Sequence, residues 1–324
     1  MKHYLILDIG GTKTTTVVFT ENGTPITDFF VTSSRAYEGE EAVFQNTMDV
    51  AYKTIQAAGI DRTDIAGIGV AAPGPMDYKK GLILDAPMMG WKNFPLGDRI
   101  RSEFGVPVYV ENDGNLGALA EANLGVAVGK EAVLYQTIST GCGGGIAING
   151  RIYHGHSGFA GEFGHETINF SGIPCGCGGF GCFETYASGT AVNRRMQRDM
   201  EKGIKSLAFE SIGYDSSKIN GKILGEAAEK GDSYALAVLR QEGFYIGVGL
   251  ANLMNLFDPD VIVLAGGMMK SSKWFWTDMI NEMKKRTCFD VDESRVCLSE
   301  LNDRVVAYGA YYLIKEAMEG RLGY

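Results

Sequence analysis

At 324 residues, with 45 % hydrophobic and 21 % charged side chains, the chain is long enough for two domains and apolar enough to bury a core without disulfides. Its net charge of −9 argues against a nucleic-acid partner, which needs a basic face. No apolar run reaches the length of a membrane-spanning helix, and Met1-Lys2-His3 leads into Tyr4-Leu5-Ile6-Leu7 without a signal-peptide core or cleavage site, so the expectation is a cytoplasmic protein with no membrane partner.

The first predicted element is the strand Leu5-Ile6-Leu7-Asp8-Ile9. It turns through Gly10-Gly11-Thr12-Lys13 and returns as a second strand to Phe19, before the turn signal Glu21-Asn22-Gly23. The glycine turn lacks Walker A spacing, and a strand rather than a helix follows it. It still suits a phosphate: glycines let backbone N–H groups approach an anion, and Thr12 and Lys13 add a hydroxyl and a charge. Asp8 is a hard oxygen ligand for Mg2+, directly or through water.

Residues 40–58 are helical by periodicity, with Ala42, Val43, Met48, Ala51 and Ile55 apolar, and strands are expected at 65–71 and 107–111. Glu111-Asn112-Asp113-Gly114-Asn115 follows. A carboxylate at the carboxyl end of a strand, facing a phosphate turn, can take a proton from a hydroxyl. Asn and Asp are equally the usual N-caps of a helix, and one is expected from Gly114 to Leu124.

The strand, glycine turn and strand recur. Val133–Ile138 runs into Ser139-Thr140-Gly141-Cys142-Gly143-Gly144-Gly145, then Ile146-Ala147-Ile148 and the turn Asn149-Gly150. Two copies of one pattern suggest two related lobes. Cys142, among backbone N–H groups, is expected to have a lowered pKa and a reactive thiol. His154 and His156 read as members of an ordinary polar turn.

His165-x9-Cys175-x-Cys177-x4-Cys182 is the most specific local signal. Three thiolates and one imidazole make a tetrahedral structural zinc site, with no position left for a catalytic water. Cys175 and Cys177 are too close in sequence for a comfortable disulfide, and the glycines between 172 and 181 let the chain wrap around an ion. Glu162 and Glu184 flank the cluster, and carboxylate oxygens accept well from sugar hydroxyls. A helix near 233–256, a buried strand Val261–Leu264 ending in Ala265-Gly266-Gly267, and a last helix near 305–319 complete an α/β pattern. The expected division is a first lobe, 1–115, joined by the C-terminal helix at about 305–324, and a larger lobe, 116–304, carrying the zinc site.

In series, Asp8–Lys13, Ala72-Pro73-Gly74-Pro75, Glu111-Asn112-Asp113, Thr140–Gly145, Gly161-Glu162-Phe163-Gly164-His165, the three cysteines with Glu184, and Leu264–Gly267 resemble the ROK family of bacterial sugar kinases and sugar-responsive repressors. The resemblance implies two ribonuclease-H-like lobes of the actin-like ATPase fold around a central cleft. It implies phosphorylation of a hexose or hexosamine by ATP with Mg2+, with Asp113 as the base that activates the 6-hydroxyl. Gly74, Asn112, Asp113, Glu162, His165 and Glu184 would contact the sugar, and His165 would double as a zinc ligand. Asp8, Gly10, Gly11, Thr12, Lys13, Thr140, Gly141, Cys142, Gly143, Gly266 and Gly267 would hold the nucleotide and its Mg2+.

A glucose-type sugar is the first expectation, with N-acetylglucosamine, N-acetylmannosamine, fructose or mannose as alternatives. A homodimer or homotetramer is implied. Family repressors add an N-terminal helix-turn-helix domain; the first strand here begins near Tyr4, so a kinase is expected rather than a sugar-sensing regulator. Two positions depart from the family pattern. Met88 stands where its glucokinases commonly have Asn, and Cys142 where a branched aliphatic residue is usual.

Overall fold

The computed structural model describes residues 2–321. Met1 and residues 322–324, the last positions of the segment assigned to the first lobe, lie outside the described residues. In chain order the elements are β1 (His3–Ile9), β2 (Lys13–Thr20), β3 (Phe30–Ser33), α1 (Glu40–Ala57), β4 (Ile65–Ala72), β5 (Met76–Asp77), β6 (Leu82–Ala86), β7 (Trp91–Phe94), α2 (Leu96–Phe104), β8 (Val108–Asn112) and α3 (Asp113–Asn123). They continue as β9 (Ala132–Ile138), β10 (Cys142–Ile148), β11 (Arg151–Ile152), α4 (Glu184–Ala187), α5 (Gly189–Glu201), α6 (Leu207–Ser211), α7 (Gly221–Glu229) and α8 (Ser233–Phe257). β12 (Val261–Ala265), α9 (Trp276–Arg286), β13 (Val296–Leu298) and α10 (Val305–Met318) follow.

The chain forms two compact units. The first takes the residues up to Gly129, Gly145–Ala160 and the residues from Asp303 on; the second takes Lys130–Gly144 and Gly161–Asn302. The break expected after residue 115 falls inside α3, and Gly145–Ala160, expected in the second lobe, packs with the first unit.

In the first unit a five-stranded sheet has the order β3-β2-β1-β4-β8. β1 is antiparallel to β2 and parallel to β4, and β4 is parallel to β8. The apolar run of β1 serves both faces of this sheet. Leu5, Leu7 and Ile9 join Val43, Met48 and Ile55 of α1 in one core. Tyr4 and Ile6 join Leu116 and Leu119 of α3 and Leu313 and Ile314 of α10 in another. Burial on both sides is why this strand reads as continuous rather than alternating. Each such Leu or Ile contributes on the order of 1.5–3 kcal/mol.

The register fixes the site. Asp8 lies opposite Ala71, and Ala71 opposite Glu111, so β1, β4 and β8 end at one level of one sheet edge. That edge carries Asp8-Ile9-Gly10, Ala72-Pro73-Gly74 and Glu111-Asn112-Asp113. A small sheet, β5-β6-β7, stands apart in this unit. Its strands have two to five residues, too short to leave a periodic signal.

In the second unit β12 is parallel to both β9 and β13, and every residue from Val261 to Ala265 is buried. α8 starts at Asp232, whose carboxylate accepts from Ala235 N at 2.8 Å, and stops at Asp258, which turns left-handed at φ 41°.

Candidate active site

The first Gly turn is held by its own backbone and by Ser34. Gly10 N donates to Lys13 O at 2.9 Å, and Ser34 N donates to Thr12 O at 3.1 Å. Thr12 and Lys13 are left exposed and Gly11 half-buried, available to a ligand. Met88 lies over this turn: a Cβ on Gly11 would stand 3.1 Å from Met88 Cε. The Met88 side chain is otherwise open to solvent, with 70 % exposure. Gly74 closes the loop after β4 at φ 86°, and a Cβ there would come within 2.4 Å of Asp85 O. Only glycine fits that approach.

Asn112, not Asp113, caps α3. Its Oδ1 accepts from Gly114 N at 2.8 Å and Asn115 N at 3.3 Å. The cap employs the amide oxygen and leaves the NH2 group to donate elsewhere. Asp113 is the first helical residue, and its Oδ1 accepts from Gly114 N at 2.9 Å. Asp113 and Asp8 influence each other. Burial among surrounding protein atoms raises Asp8 to about 7; the Asp113 charge pushes the same way and Lys13 opposes it. Burial also raises Asp113, against the bond from Gly114. Two carboxylates raised by burial at one sheet edge mark this edge as a candidate functional site.

His154 is no ordinary turn residue. Its Nε2 lies 2.7 Å from Glu111 Oε2, and its ring stacks on Tyr78 at 3.7 Å between centroids. The sequence carries no sign of this pairing, because the partners lie 43 positions apart.

In the second unit the turn Thr140-Gly141-Cys142-Gly143 is packed against Gly164 and Glu184. Cys142 N donates to Glu184 Oε2 at 2.9 Å. Gly164 runs so close to Cys142 that a Cβ would sit 2.1 Å from its carbonyl oxygen. Glu162 starts the 3-10 turn Phe163–His165. Thr190 Oγ1 donates to Thr140 O at 2.8 Å, tying the turn to the start of α5. Gly266 ends β12 and Gly267 begins a 3-10 helix. Thr140 and Gly267 line a cavity of about 550 Å³ with Asn193, Asn220, Lys270 and Trp274 among others, a volume suited to a nucleoside. Its residues on α5, on α7 and on the 3-10 helix beyond Gly267 are not legible in the sequence, since helix-borne lining residues have no motif.

The Cys142 thiol corrects its expectation. It is buried, and burial together with Glu242, Glu184 and Glu166 raises its pKa well above that of a free thiol. The N–H of the turn serves the Glu184 carboxylate instead. Maleimide at neutral pH is therefore expected to label exposed Cys288 and to spare Cys142, as read by peptide mass spectrometry; fast Cys142 labelling would contradict this burial.

His165, Cys175, Cys177 and Cys182 bring four ligand atoms within 4.8 Å of one another. Cys175 Sγ lies 3.7 Å from His165 Nδ1, and Cys177 Sγ lies 3.6 Å from Cys182 Sγ. Ligands about 2.3 Å from a tetrahedral ion are roughly 3.7 Å apart, so the donor set fits zinc. With Nδ1 turned to the sulfurs, Nε2 lies on the far side of the imidazole. The Gly179 N–H lowers Cys177, and burial raises Cys182.

Glycine turns at the ends of parallel strands in both units, on this topology, define a protein of the actin-like ATPase class. The chain belongs to the ROK family, whose family model matches residues 4–317. It is similar to a glucokinase of Halalkalibacterium halodurans, 36 % identical over 83 % of this chain and 81 % of that one. It is also similar to a xylose repressor of Bacillus subtilis, 35 % identical over 76 % of this chain and 60 % of the repressor. Among solved structures, a ROK family glucokinase from Streptomyces griseus in complex with glucose and AMPPNP superposes with a TM-score of 0.82 at 30 % identity, over 96 % of this chain and 98 % of that one. No helix of the described residues is long and apolar enough to cross a membrane.

Proposed function

We propose that this sugar kinase transfers the γ-phosphoryl group of ATP to the 6-hydroxyl of a hexose, a glucose-type sugar before N-acetylglucosamine, N-acetylmannosamine, fructose or mannose. The observation that carries it is the pairing of Asp8 and Asp113 at the level where β1 and β8 end. Asp113 is the general base. Its raised pKa makes it a stronger proton acceptor than an ordinary carboxylate, and so better matched to a hydroxyl. Gly74, Asn112, Glu162, His165 and Glu184 hold the other sugar hydroxyls, with His165 Nε2 and the Asn112 amide NH2 as donors.

Asp8 would hold Mg2+, which supplies charge neutralisation on the phosphates. Its proximity to a second carboxylate fits a cation there. Gly11, Thr12, Lys13, Thr140, Gly141, Gly143, Gly266 and Gly267 would cradle the phosphates with N–H groups, two hydroxyls and one ammonium, while Gly10 and Cys142, whose own N–H groups are taken by Lys13 O and Glu184, shape the two turns. The cavity of the second unit takes the nucleoside end. His165, Cys175, Cys177 and Cys182 would hold a zinc ion whose part is structural.

ADP release coupled to NADH oxidation, run over glucose, N-acetylglucosamine, N-acetylmannosamine, mannose, fructose and allose, tests this reading. Turnover is expected with at least one of them. Met88→Asn is expected to raise relative activity on glucose several-fold, the worth of a hydrogen bond of about 1 kcal/mol. An unchanged ranking would remove Met88 from the pocket rim.

A second reading, a sugar-sensing regulator, is favoured by the similarity to xylose repressors. Sugar-dependent thermal stabilisation without ADP formation from any of the six sugars would establish it instead.

A further inference from the structure

Glu111 is 1 % exposed at the end of β8, and both carboxylate oxygens are engaged. Oε1 accepts from Asn112 N at 2.9 Å and from Asn115 Nδ2 at 3.0 Å. Oε2 accepts from His154 Nε2 at 2.7 Å. Glu111 therefore grips the turn that presents Asp113 from two sides, through the backbone before Asp113 and through a side chain of α3.

His154 is itself held in three ways. Its ring lies flat on Tyr78, with 5° between the planes. The preceding Tyr153 N donates to Ile146 O at 2.8 Å, and Ala160 N donates to His154 O at 3.2 Å. Tyr78 follows β5, Glu111 ends β8, and His154 follows β11, so three distant stretches of the first unit converge on one carboxylate. A histidine with only a packing role needs neither a fixed ring plane nor a carboxylate partner. The stack fixes the plane and the carboxylate fixes the direction of Nε2–H.

We propose that His154, backed by Tyr78, is a positioning residue for Asp113. It fixes the Glu111 carboxylate, and through Asn112 N–H and Asn115 it fixes where the Asp113 carboxylate points. The proposal rests on Asp113 being the base. His154 touches no reacting atom. Its effect is geometric, because a base displaced by about 1 Å from its hydroxyl costs roughly 10²-fold in rate.

Steady-state kinetics on the zinc-loaded protein, with the best sugar of the panel, test it. His154→Ala is expected to lower kcat by about 10–100-fold while KM for sugar and ATP stays within about threefold. His154→Gln, whose amide can still donate to Glu111, is expected to regain most of the loss. In an Asp113→Asn background His154→Ala is expected to cost little more, since residues acting as one unit are not additive. Should His154→Ala not fold, Tyr78→Leu, which removes only the stack, carries the same test and is expected to lower kcat several-fold.

A parent-like kcat in the alanine or leucine variant overturns the proposal. So does an equal fold-loss in both backgrounds, or a loss confined to KM. Near-parent turnover by Asp113→Asn alone would overturn the base reading and this proposal with it, and it is read without touching His154.

Discussion

Turnover by Asp113→Asn is expected to fall by roughly 10²–10⁴-fold, the usual worth of general-base catalysis. The substitution keeps the shape and the bond from Gly114 N, and it removes the basic oxygen. Sugar KM should change far less, because Asn112, Glu162, His165 and Glu184 remain. Helix capping makes no competing claim, since the cap is Asn112 and the first residue of α3 tolerates Asn.

Stability should move the other way. Asp8 and Asp113 are both raised above the ordinary carboxylate range, so the folded protein holds protons that the unfolded chain has already released. Stability contributed by these groups is lost as pH rises from the ordinary carboxylate range towards about 7, the value of Asp8. Replacing Asp113 removes one of the two charges. Ligand-free Asp113→Asn is thus expected to melt at or above the parent temperature at pH 8, and a clear drop in Tm would mean the carboxylate is structural. The same raised pKa of the free protein places the acid limb of the kcat/KM profile above the ordinary carboxylate range.

Loss of the zinc site should be the second large effect. Freshly purified protein is expected to contain about one zinc per chain, by metal analysis. Cys177→Ala removes an exposed ligand whose thiolate is favoured by the Gly179 N–H, and it leaves the buried Cys182 in place. Sugar KM should rise by about tenfold or more, in the range seen when a metal's supporting residues are lost, while ATP KM changes less.

The asymmetry follows from what the loop carries. Glu162 lies just before the cluster and Glu184 just after it, so a bound zinc would pin both ends of the segment proposed to contact the sugar. The backbone bonds of the loop, such as Cys175 N to Gly179 O at 2.8 Å and Phe183 N to Glu166 O at 2.8 Å, give it shape without fixing those ends alone. Zinc-free protein with unchanged sugar KM would refute the assignment.

Several features could be read from residues alone. The helices at 40–57, 113–123, 233–257 and 305–318 match the periodic segments closely, because long amphipathic or apolar runs leave a signal at the helical repeat. The Gly turns and the Cys/His spacing are local, so their chemistry is written in consecutive residues. The order of β1, β4 and β8, and the register that levels Asp8 with Glu111, were not legible, because strand neighbours are chosen by the packing of α1, α3 and α10 on the two sheet faces.

The same holds for side chains whose environment is assembled from afar. Cys142 sits among backbone N–H groups in sequence, yet the fold buries it, brings Glu242, Glu184 and Glu166 around it, and so reverses the sign of its pKa shift. His154 reads in sequence as a member of an ordinary polar turn, and only the fold places Tyr78 and Glu111 beside it. Sequence by itself determined which chemical groups the protein has and where its turns must lie, since both are properties of neighbouring residues. The tertiary structure alone decided which of those groups share an electric field, since that depends on distance through space and on the water that burial removes.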